Sequence, residues 1–314
     1  MKKILMFSQM QDLDGMGCVY LGTHAFKDDL FLYSLCRTFE IDKKFLEYYD
    51  NEALDKYDLI FINGLCLSKE LLDRINEDSN LRDKIHILDF HKSSLDNGLD
   101  NYSFVKIVHD NNGYLECGTS LFYKYLLAFK YIEANKFLDD FVDLTRQYAV
   151  WEWKEKDNKR ARKLNILAET LGIEQYLKAI EGFSKIFESV KFDEYAQNII
   201  EKYEKNLLKD LREVHNTIKT VVIEVKDNSY KVGFVQSPFR LRNELVDYMI
   251  DINEPIAALG MIISDGNTVS YRAIKPGVDC RKIAEKFGGH GEKYAGSNPK
   301  DDPKFIEFYN KYLR

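Results

Sequence analysis

Short apolar runs alternate with polar loops and amphipathic stretches through the N-terminal third of the chain. Residues 3–8 form an apolar run that predicts a buried strand, and a helical pattern follows it. The same order recurs at 58–63 and at 84–89, and the latter run precedes a predicted polar loop over 91–101. Strands that alternate with helices predict an α/β domain with helices on both faces of a parallel sheet, which binds ligands at the carboxyl ends of its strands.

The pattern changes at about residue 119, where apolar positions begin to recur at spacings of three and four. This spacing predicts helices as far as residue 216, and we expect the last, highly charged one at 201–213 to be a solvated connector. Beyond it, alternating apolar positions predict short strands, with a hairpin turn at Asp227-Asn228. The predicted strands cover residues 220–225, 230–235, 257–263 and 269–273. A second, smaller α+β domain is therefore expected.

The net charge and the cysteines indicate which partners and which cellular compartment to expect. A formal net charge of -6 argues against sequence-independent binding of long nucleic acid, because such binding needs a basic surface. The five cysteines are widely spaced and include no C-x-x-C pair, which predicts reduced thiols and a cytoplasmic protein. The first apolar run is too short for a signal peptide or a membrane span, so no membrane partner is expected.

Several short motifs follow one another in a specific order along the chain. They are Gln11-Asp12-Leu13-Asp14-Gly15, Leu88-Asp89-Phe90-His91-Lys92, Cys117-Gly118-Thr119-Ser120, Arg146-Gln147-Tyr148 and Gly288-Gly289-His290. In this order and at these separations they resemble the DHH phosphoesterase superfamily, in particular its small nanoRNase and oligoribonuclease members. The resemblance covers nearly the whole chain and implies an α/β protein with a ligand cleft between its domains. It implies a parallel-sheet DHH domain over 1–150, a helical connector over 151–217 and a DHH-associated C-terminal domain over 218–314.

The resemblance also implies a centre of two divalent ions, usually manganese, and each family ligand can be compared with this chain. Asp12, Asp14 and Asp89 remain as carboxylates, and His91 remains as an imidazole. Four other ligand positions are replaced, by Met10, Gly64, Phe90 and Ala149. Thioether, hydrogen, benzyl and methyl groups cannot donate oxygen to Mg²⁺ or Mn²⁺, so we expect no metal centre and no cofactor. The alternative is a manganese site rebuilt with Gln11, Asp110, Glu116 or Glu152.

A pocket that keeps three acids without ions repels phosphate unless nearby cations offset it. His91, Lys92 and Arg146 are the candidates in the first domain. Met10 and Phe90 offer apolar surface on which a base can stack, and ordinary core filling is the alternative for both. The helix start at Cys117-Gly118-Thr119-Ser120 suits an anion, although the same residues serve equally as a helix cap.

In the C-terminal domain the resemblance implies that an arginine on a strand and a glycine-rich loop hold the nucleotide. The matching residues are Ser270, Arg272, Gly288, Gly289 and His290. Glycines can bring backbone N–H groups close to an anion, and an arginine can hold a phosphate with its planar fork. A solvated helix start is the favoured interpretation of Arg240 and Arg242, and a position facing the interdomain cleft is the alternative.

These observations leave three functions. The first is a catalytically inactive phosphodiesterase-like protein that binds and sequesters a short or cyclic nucleotide, such as a phage sponge against a second messenger of host defence. The alternative is a Mn²⁺-dependent oligoribonuclease of the nanoRNase type, which degrades very short RNA. The third is a scaffold for a protein partner. The expected partner is a small nucleotide, with no long nucleic acid and no membrane, and a homodimer is left open.

Overall fold

The computed structural model describes residues 1–9, 12–51, 53–225 and 228–314 of the chain. These residues form two compact units, residues 1–203 and residues 204–314. Met10, Gln11 and Asp227, which carry expectations made above, lie outside the described residues.

The first unit begins with strands and continues with helices. Its strands are β1 (Lys3–Gln9), β2 (Leu30–Cys36), β3 (Leu59–Asn63), β4 (Ile85–Asp89), β5 (Val105–Ile107), β6 (Asp110–Asn111) and β7 (Tyr114–Leu115). Its helices are α1 (Leu13–Ala25), α2 (Ile41–Tyr49), α3 (Lys69–Glu77), α4 (Ser79–Arg82), α5 (Lys92–Asp96), α6 (Gly118–Ala128), α7 (Lys136–Ala149), α8 (Glu152–Glu155) and α9 (Lys159–Ile186). Helix α9 is interrupted at Gly172, where φ is 69°.

The second unit is entered through helix α10 (Glu194–His215), within which the boundary between the units falls. Its strands are β8 (Lys219–Val225), β9 (Asn228–Ser237), β10 (Ala258–Ile263), β11 (Thr268–Ala273), β12 (His290–Gly291) and β13 (Ala295–Pro299). Its other helices are α11 (Arg242–Asp251), α12 (Cys280–Lys286) and α13 (Pro303–Tyr312).

Five strands of the first unit form one parallel sheet in the order β2-β1-β3-β4-β5. Alternate residues of β1 enter two different apolar cores: Ile4 and Met6 join one, and Leu5 and Phe7 join the other. Because successive side chains of a strand point to opposite faces, this sheet is buried on both faces. The predicted α/β architecture is confirmed.

The helices that follow the sheet pack largely into the first of these cores. Leu164 and Ile180 of α9 are buried there, together with Ile200 of α10. The segment 151–217, expected as a connector, therefore supplies core residues to the first unit. The charged half of α10, expected to be solvated, still buries Leu207 and Leu211.

The second unit is built on a six-stranded mixed sheet in the order β12-β13-β11-β10-β9-β8. Strands β9 and β10 run parallel, and the other neighbours are antiparallel. The β8–β9 pairing brings Val225 opposite Asn228, which confirms the predicted hairpin. Phe234, Tyr271 and Phe287 lie in one apolar core on a single face of this sheet.

Two stretches of the first unit depart from the sequence-based expectations. The predicted polar loop over 91–101 contains α5 and a 3₁₀ turn at Leu99–Asn101. The sequence pattern does not single out β2, which lies at the sheet edge with most of its residues partly exposed. Among the described helices, none combines the length and the apolar character that crossing a membrane requires.

Candidate functional site

The carboxyl ends of β1, β3 and β4 lie side by side at one edge of the first sheet. The strand order reverses at β1, which lies between β2 and β3, and open α/β sheets bind their ligands at such a reversal. Asp12 and Asp14 follow β1, Gly64 follows β3, and Asp89 ends β4. The fold therefore gathers the positions that the motif order singled out.

Asp12 caps the start of α1. Its Oδ1 accepts a hydrogen bond of 2.7 Å from the backbone N–H of Gly15. Burial, and then the charge of Asp14, raises the pKa of Asp12 from 3.8 to about 7, although the Gly15 N–H and His91 act in the opposite direction. Near neutral pH the Asp12 carboxyl is therefore close to half-protonated.

Asp14 is buried, and both of its carboxylate oxygens bind the first turn of α6. Oδ2 accepts from the N–H of Gly118 at 2.8 Å, and Oδ1 accepts from the N–H of Thr119 at 2.7 Å. Thr119 Oγ1 also donates to the backbone carbonyl of Asp14 at 2.6 Å. A helix start offers unpaired donors and the positive end of a dipole. The anion at this helix start is therefore the protein's own carboxylate.

Asp89 is also buried, and both of its oxygens accept hydrogen bonds from neighbours in the chain. Oδ1 accepts from the Phe90 N–H at 2.8 Å and lies 2.7 Å from His91 Nδ1, while Oδ2 accepts from Ser94 Oγ at 2.6 Å. Burial alone raises the pKa of Asp89, but the hydrogen bonds from His91, Ser94 and Phe90 lower it below its usual range. The hydrogen bond with Asp89 raises the pKa of His91 against the effect of burial. Asp89 and His91 therefore form a carboxylate–imidazole pair in which both carboxylate oxygens accept hydrogen bonds.

Gly64 and Phe90 occupy two of the replaced ligand positions and lie close to each other. A Cβ built on Gly64 would lie 3.5 Å from Asp14 Oδ2 and 3.8 Å from Phe90 Cε1. Gly64 has a φ of 69°, which a side chain there would strain. Phe90 stacks on His91 at a ring separation of 4.4 Å and packs against the first core. This is the core-filling alternative for Phe90, and base stacking on it stays a prediction.

Arg146 is placed differently from the expectation that it contacts nucleotide. The side chain is buried, and its Nη1 and Nη2 donate to Glu152 at 2.7 and 2.9 Å. Nε and Nη2 donate to Asp143 at 3.3 and 3.0 Å, and the guanidinium lies 4.0 Å from the ring centre of Tyr114. A phosphate would have to displace these acids, so we correct the expectation: Arg146 is a structural cation. Lys92, by contrast, is exposed at the start of α5.

In the second unit, the register places three predicted residues on one face of the sheet. Ser270 of β11 pairs with Ser297 of β13, which pairs with His290 of β12. Residues directly opposite one another share a face, as do residues two apart on a strand, so Arg272 lies on this face too. The intervening Tyr271 is buried in the core on the other face. Ser270, Arg272 and His290 are therefore grouped as the motifs imply, with Arg272 Nη1 donating to Ser270 Oγ at 2.9 Å.

The glycine pair before His290 has a different role from the one expected. Gly288 has a φ of 71°, and its N–H donates to the carbonyl of Glu285 at 3.2 Å. The Gly289 N–H donates to the carbonyl of Ala284 at 2.9 Å. These two bonds close the end of α12 in the Schellman arrangement. The expectation that the N–H groups of Gly288 and Gly289 hold an anion is corrected, because the helix end already uses them.

No protein-family model matches the chain. The chain is 29% identical over 292 residues to oligoribonuclease NrnB of Bacillus subtilis (strain 168), an alignment that covers 90% of this chain and 70% of that protein. Its structure resembles exonuclease RecJ bound to manganese, with a TM-score of 0.56 at 10% identity, over 99% of this chain and 89% of RecJ. These similarities support the resemblance to the DHH phosphoesterase superfamily that the motif order predicts.

A second solved structure also matches nearly the whole chain. The pGpG-specific phosphodiesterase PggH of Vibrio cholerae matches with a TM-score of 0.54 at 9% identity, over 99% of this chain and 97% of PggH. At these identities the two solved structures establish the shared fold. The chain is thus similar in sequence to an oligoribonuclease and similar in fold to a pGpG-specific phosphodiesterase.

The expectation that no cofactor is involved is wrong for this superfamily. RecJ, which has the same fold, is bound to manganese, and the relative at 29% identity is an oligoribonuclease. A divalent metal ion therefore belongs to the chemistry that this fold supports. Experiments on this chain have to include it.

The residues present fit a centre of two divalent ions poorly. Within the described part of the chain, no three or more His, Cys, Asp or Glu side chains are grouped so that they could hold a metal ion. Asp14 and Asp89 already accept hydrogen bonds on both oxygens. Of the suggested substitutes, Glu152 binds Arg146, and Glu116 accepts from Ser120 Oγ at 2.6 Å and pairs with Lys124. Each of these carboxylates is held for a structural purpose.

Sequence reasoning missed the groups that hold the two buried acids. They are the N–H groups of Gly118 and Thr119 and the hydroxyl of Ser94. The helix-start pattern at 117–120 was the available signal for the first pair, but it does not name the anion. Ser94 lay inside the stretch that was expected to be a loop, so its place one turn after Asp89 was not anticipated.

Proposed function

We propose that this protein binds a short or cyclic nucleotide through its phosphate groups and hydrolyses it slowly or not at all. The observation that carries the proposal is the pair of hydrogen bonds from Gly118 and Thr119 to Asp14. A carboxylate that coordinates an ion must turn lone pairs toward it, and each oxygen of Asp14 already directs one lone pair to a helix start. With Gly64 in place of an acid, the remaining donors are too few to assemble two ions.

Binding is supported by the polar face of the second sheet. Ser270 and Arg272 of β11 share this face with His290 of β12, two strands away, so the face carries a hydroxyl, a guanidinium and an imidazole. Such groups bind phosphate oxygens by charge-assisted hydrogen bonds, which are among the strongest in proteins. His91 and Lys92 in the first unit stay predicted ligand contacts. A protein that retains the phosphate-binding side chains but lacks a complete metal centre is suited to holding its ligand.

Hydrolysis of very short RNA with Mn²⁺ is the second candidate function. It is favoured by the 29% identity to an oligoribonuclease across 90% of this chain. Under this alternative, Asp12 and Asp14 gain ligands from residues that the described part of the chain does not offer in its present arrangement. Gln11, which lies outside the described residues, is one such candidate.

The two candidates separate in one experiment that measures binding and turnover together. Linear and cyclic dinucleotides are titrated into the protein by calorimetry in buffer containing Mn²⁺, and the ligand is then recovered by heat denaturation and chromatographed. Binding with intact ligand supports the proposal. Manganese-dependent products that disappear in Asp12→Ala would refute it in favour of the nuclease.

Sequestration depends on how tightly the nucleotide is held. A binder that releases no product lowers the free concentration of its ligand only if it is present above the dissociation constant. The calorimetric titration supplies that constant. The anti-defence role stays a prediction from the replaced metal ligands.

A further inference from the structure

Strand β2 lies at one edge of the first sheet and pairs with β1 alone. The N–H of Leu30 points inward, where it donates to the carbonyl of Lys2 at 2.9 Å. Because the backbone groups of successive strand residues point to opposite edges, those of Phe31, Tyr33 and Leu35 point outward. In the described part of the chain, the outward N–H and C=O groups of Phe31 and Tyr33 have no partner. This edge therefore offers a row of unused hydrogen-bonding groups.

The side chains of this edge are apolar as well as exposed. Leu30 is 39% exposed, Leu32 41% and Tyr33 36%, and no residue of β2 is charged. Proteins usually block such edges with charged side chains on the strand, because an open edge pairs with other strands. One edge carbonyl, that of Leu35, accepts from Lys44 Nζ at 2.7 Å, and its second lone pair stays available. The edge is thus suited to adding a strand.

The charged residues that flank β2 indicate which strand it adds. Asp29 precedes the strand and Arg37 follows it, and each lies four residues from Tyr33. Antiparallel pairing of two copies around Tyr33 therefore places Asp29 of each copy opposite Arg37 of the other, whereas parallel pairing in register aligns like charges. Asp29 engages only its Oδ1, with the Lys2 N–H at 2.7 Å, and neither Asp29 nor the exposed Arg37 has an ion-pair partner within the described ranges. Strand β2 and its flanks are therefore complementary to a second copy of themselves.

We propose that β2 is a homodimer interface, in which the β2 strands of two copies pair antiparallel about a twofold axis at Tyr33. The pairing joins two five-stranded sheets into one continuous sheet. Tyr33 then exchanges backbone hydrogen bonds with Tyr33 of the second copy, and Phe31 does so with Leu35 of the second copy. Two ion pairs between Asp29 and Arg37 close the ends of the junction. The proposal concerns assembly and does not depend on the proposed nucleotide binding.

Sedimentation equilibrium of the full chain, in reducing buffer of low ionic strength, tests the proposal. Leu32→Lys places two lysines near the twofold axis. Its matched control is Ile306→Lys, because Ile306 of α13 is an aliphatic residue of similar exposure, 44%. Asp29→Arg and Arg37→Asp are measured singly and as the double variant, which restores opposite charges with their positions exchanged. Circular dichroism verifies that each variant folds.

We expect the wild type to dimerise with a dissociation constant on the order of 1 to 10 µM, because one pair of edge strands buries a small interface. Leu32→Lys and each single charge variant should raise this constant at least about tenfold, since like charges then face each other. The double variant should return to within about threefold of the wild type, and Ile306→Lys should match the wild type. Deuterium uptake of residues 30–36 should slow when the protein concentration exceeds the dissociation constant.

Three results would overturn the proposal. A wild type that stays monomeric at a concentration on the order of 100 µM would show that β2 does not pair with itself. A dimer that Leu32→Lys leaves intact, or that Ile306→Lys disrupts as strongly, would place the interface elsewhere. A double variant as weak as the two single charge variants would refute the antiparallel register at Tyr33. If Leu32→Lys fails to fold, the charge variants decide, because Asp29 and Arg37 are both at least partly exposed.

Discussion

A buried carboxylate is stable only where hydrogen-bond donors bind its oxygens. The two buried acids of this site, Asp89 and Asp14, are bound in different ways. Asp89 is held by a hydroxyl and an imidazole within five residues of it. Asp14 is held by a helix start that lies more than 100 residues away in sequence. Asp14 and Asp89 therefore stabilise the fold through hydrogen bonds that require no metal ion.

The different hydrogen bonds of Asp14 and Asp12 predict that replacing these two acids destabilises the fold unequally. Asp14→Ala leaves two buried N–H groups unpaired and should destabilise the fold by about 3 kcal/mol or more. Asp12→Ala loses one partly buried helix cap and should cost about 1 kcal/mol. Urea unfolding in EDTA measures both. Similar losses in the two variants would mean that the α6 start does not depend on Asp14.

The raised pKa of Asp12 predicts a dependence of stability on pH. The unfolded chain releases this proton near pH 3.8, whereas the folded chain keeps it until about pH 7. Stability from this group is therefore present at acid pH and is lost as pH rises from about 4 to 7. Asp12→Asn keeps the helix cap but cannot ionise.

The Tm of Asp12→Asn should therefore match that of the wild type at pH 4 and exceed it at pH 8, with EDTA present. A wild type that is the more stable protein at pH 8 would contradict the assigned pKa. Repeating the pH 8 comparison with Mn²⁺ shows whether an ion relieves the repulsion between Asp12 and Asp14.

At the scale of elements, the glycine motif of the second unit lies where the sequence predicts it but has a different role. Gly288 and Gly289 stand where the superfamily has its glycine-rich loop, yet their N–H groups end α12. A Cβ on Gly288 would come within 2.2 Å of Asp302 Oδ2. The glycines are required by the helix end and by close packing, and they deliver His290 to the polar face of the sheet.

A pair of glycine variants separates packing from backbone strain. Gly277→Ala, at φ 87° with open space around it, should cost about 1 kcal/mol for the left-handed conformation alone. Gly288→Ala adds a clash with the Asp302 carboxylate and should cost about 1 to 3 kcal/mol more. Denaturant midpoints measure the difference. Equal costs would mean that Asp302 moves aside freely.

Arg146 gives a prediction about a helix end and the turn that follows it. Arg146→Met breaks a buried contact of α7 with Glu152 of α8 and should destabilise the protein by about 3 to 5 kcal/mol. Lys92→Met, at an exposed position, should change stability by less than about 0.5 kcal/mol. Thermal unfolding without ligand compares the two. An Arg146→Met protein as stable as the wild type, with weakened nucleotide binding, would restore Arg146 as a ligand contact.

The sequence predicts the elements whose patterns are strong and local. Strands β1, β3 and β4 are apolar runs bounded by polar loops, and the hairpin of β8 and β9 alternates clearly. Strand β2 escapes prediction because it lies at an edge and is partly exposed. Helix α5 escapes because five residues carry too little periodicity. The contact of Arg146 with Tyr114 could not be predicted, since Tyr114 reaches it only through the tertiary fold.

At the scale of the whole molecule, the chain has the fold of RecJ, which binds manganese, and its buried acids Asp14 and Asp89 accept hydrogen bonds on both oxygens. The motif order was enough to predict the superfamily and the architecture, because those depend on positions spread over the whole chain. The hydrogen bonding of the site depends instead on which groups the retained acids bind, and for Asp14 these groups come from a helix more than 100 residues away in sequence. The expectation of no cofactor failed because a count of lost ligands does not replace knowledge of what the fold binds.

The central claim is that the retained acids hold the protein together and no longer assemble a hydrolytic centre. The most direct measurement is the fate of pGpG during prolonged incubation with the protein and Mn²⁺, followed by chromatography after denaturation. The account predicts that pGpG is bound and recovered intact, with no more GMP than in a protein-free control. Manganese-dependent conversion of pGpG to GMP that is abolished by Asp12→Ala would contradict it.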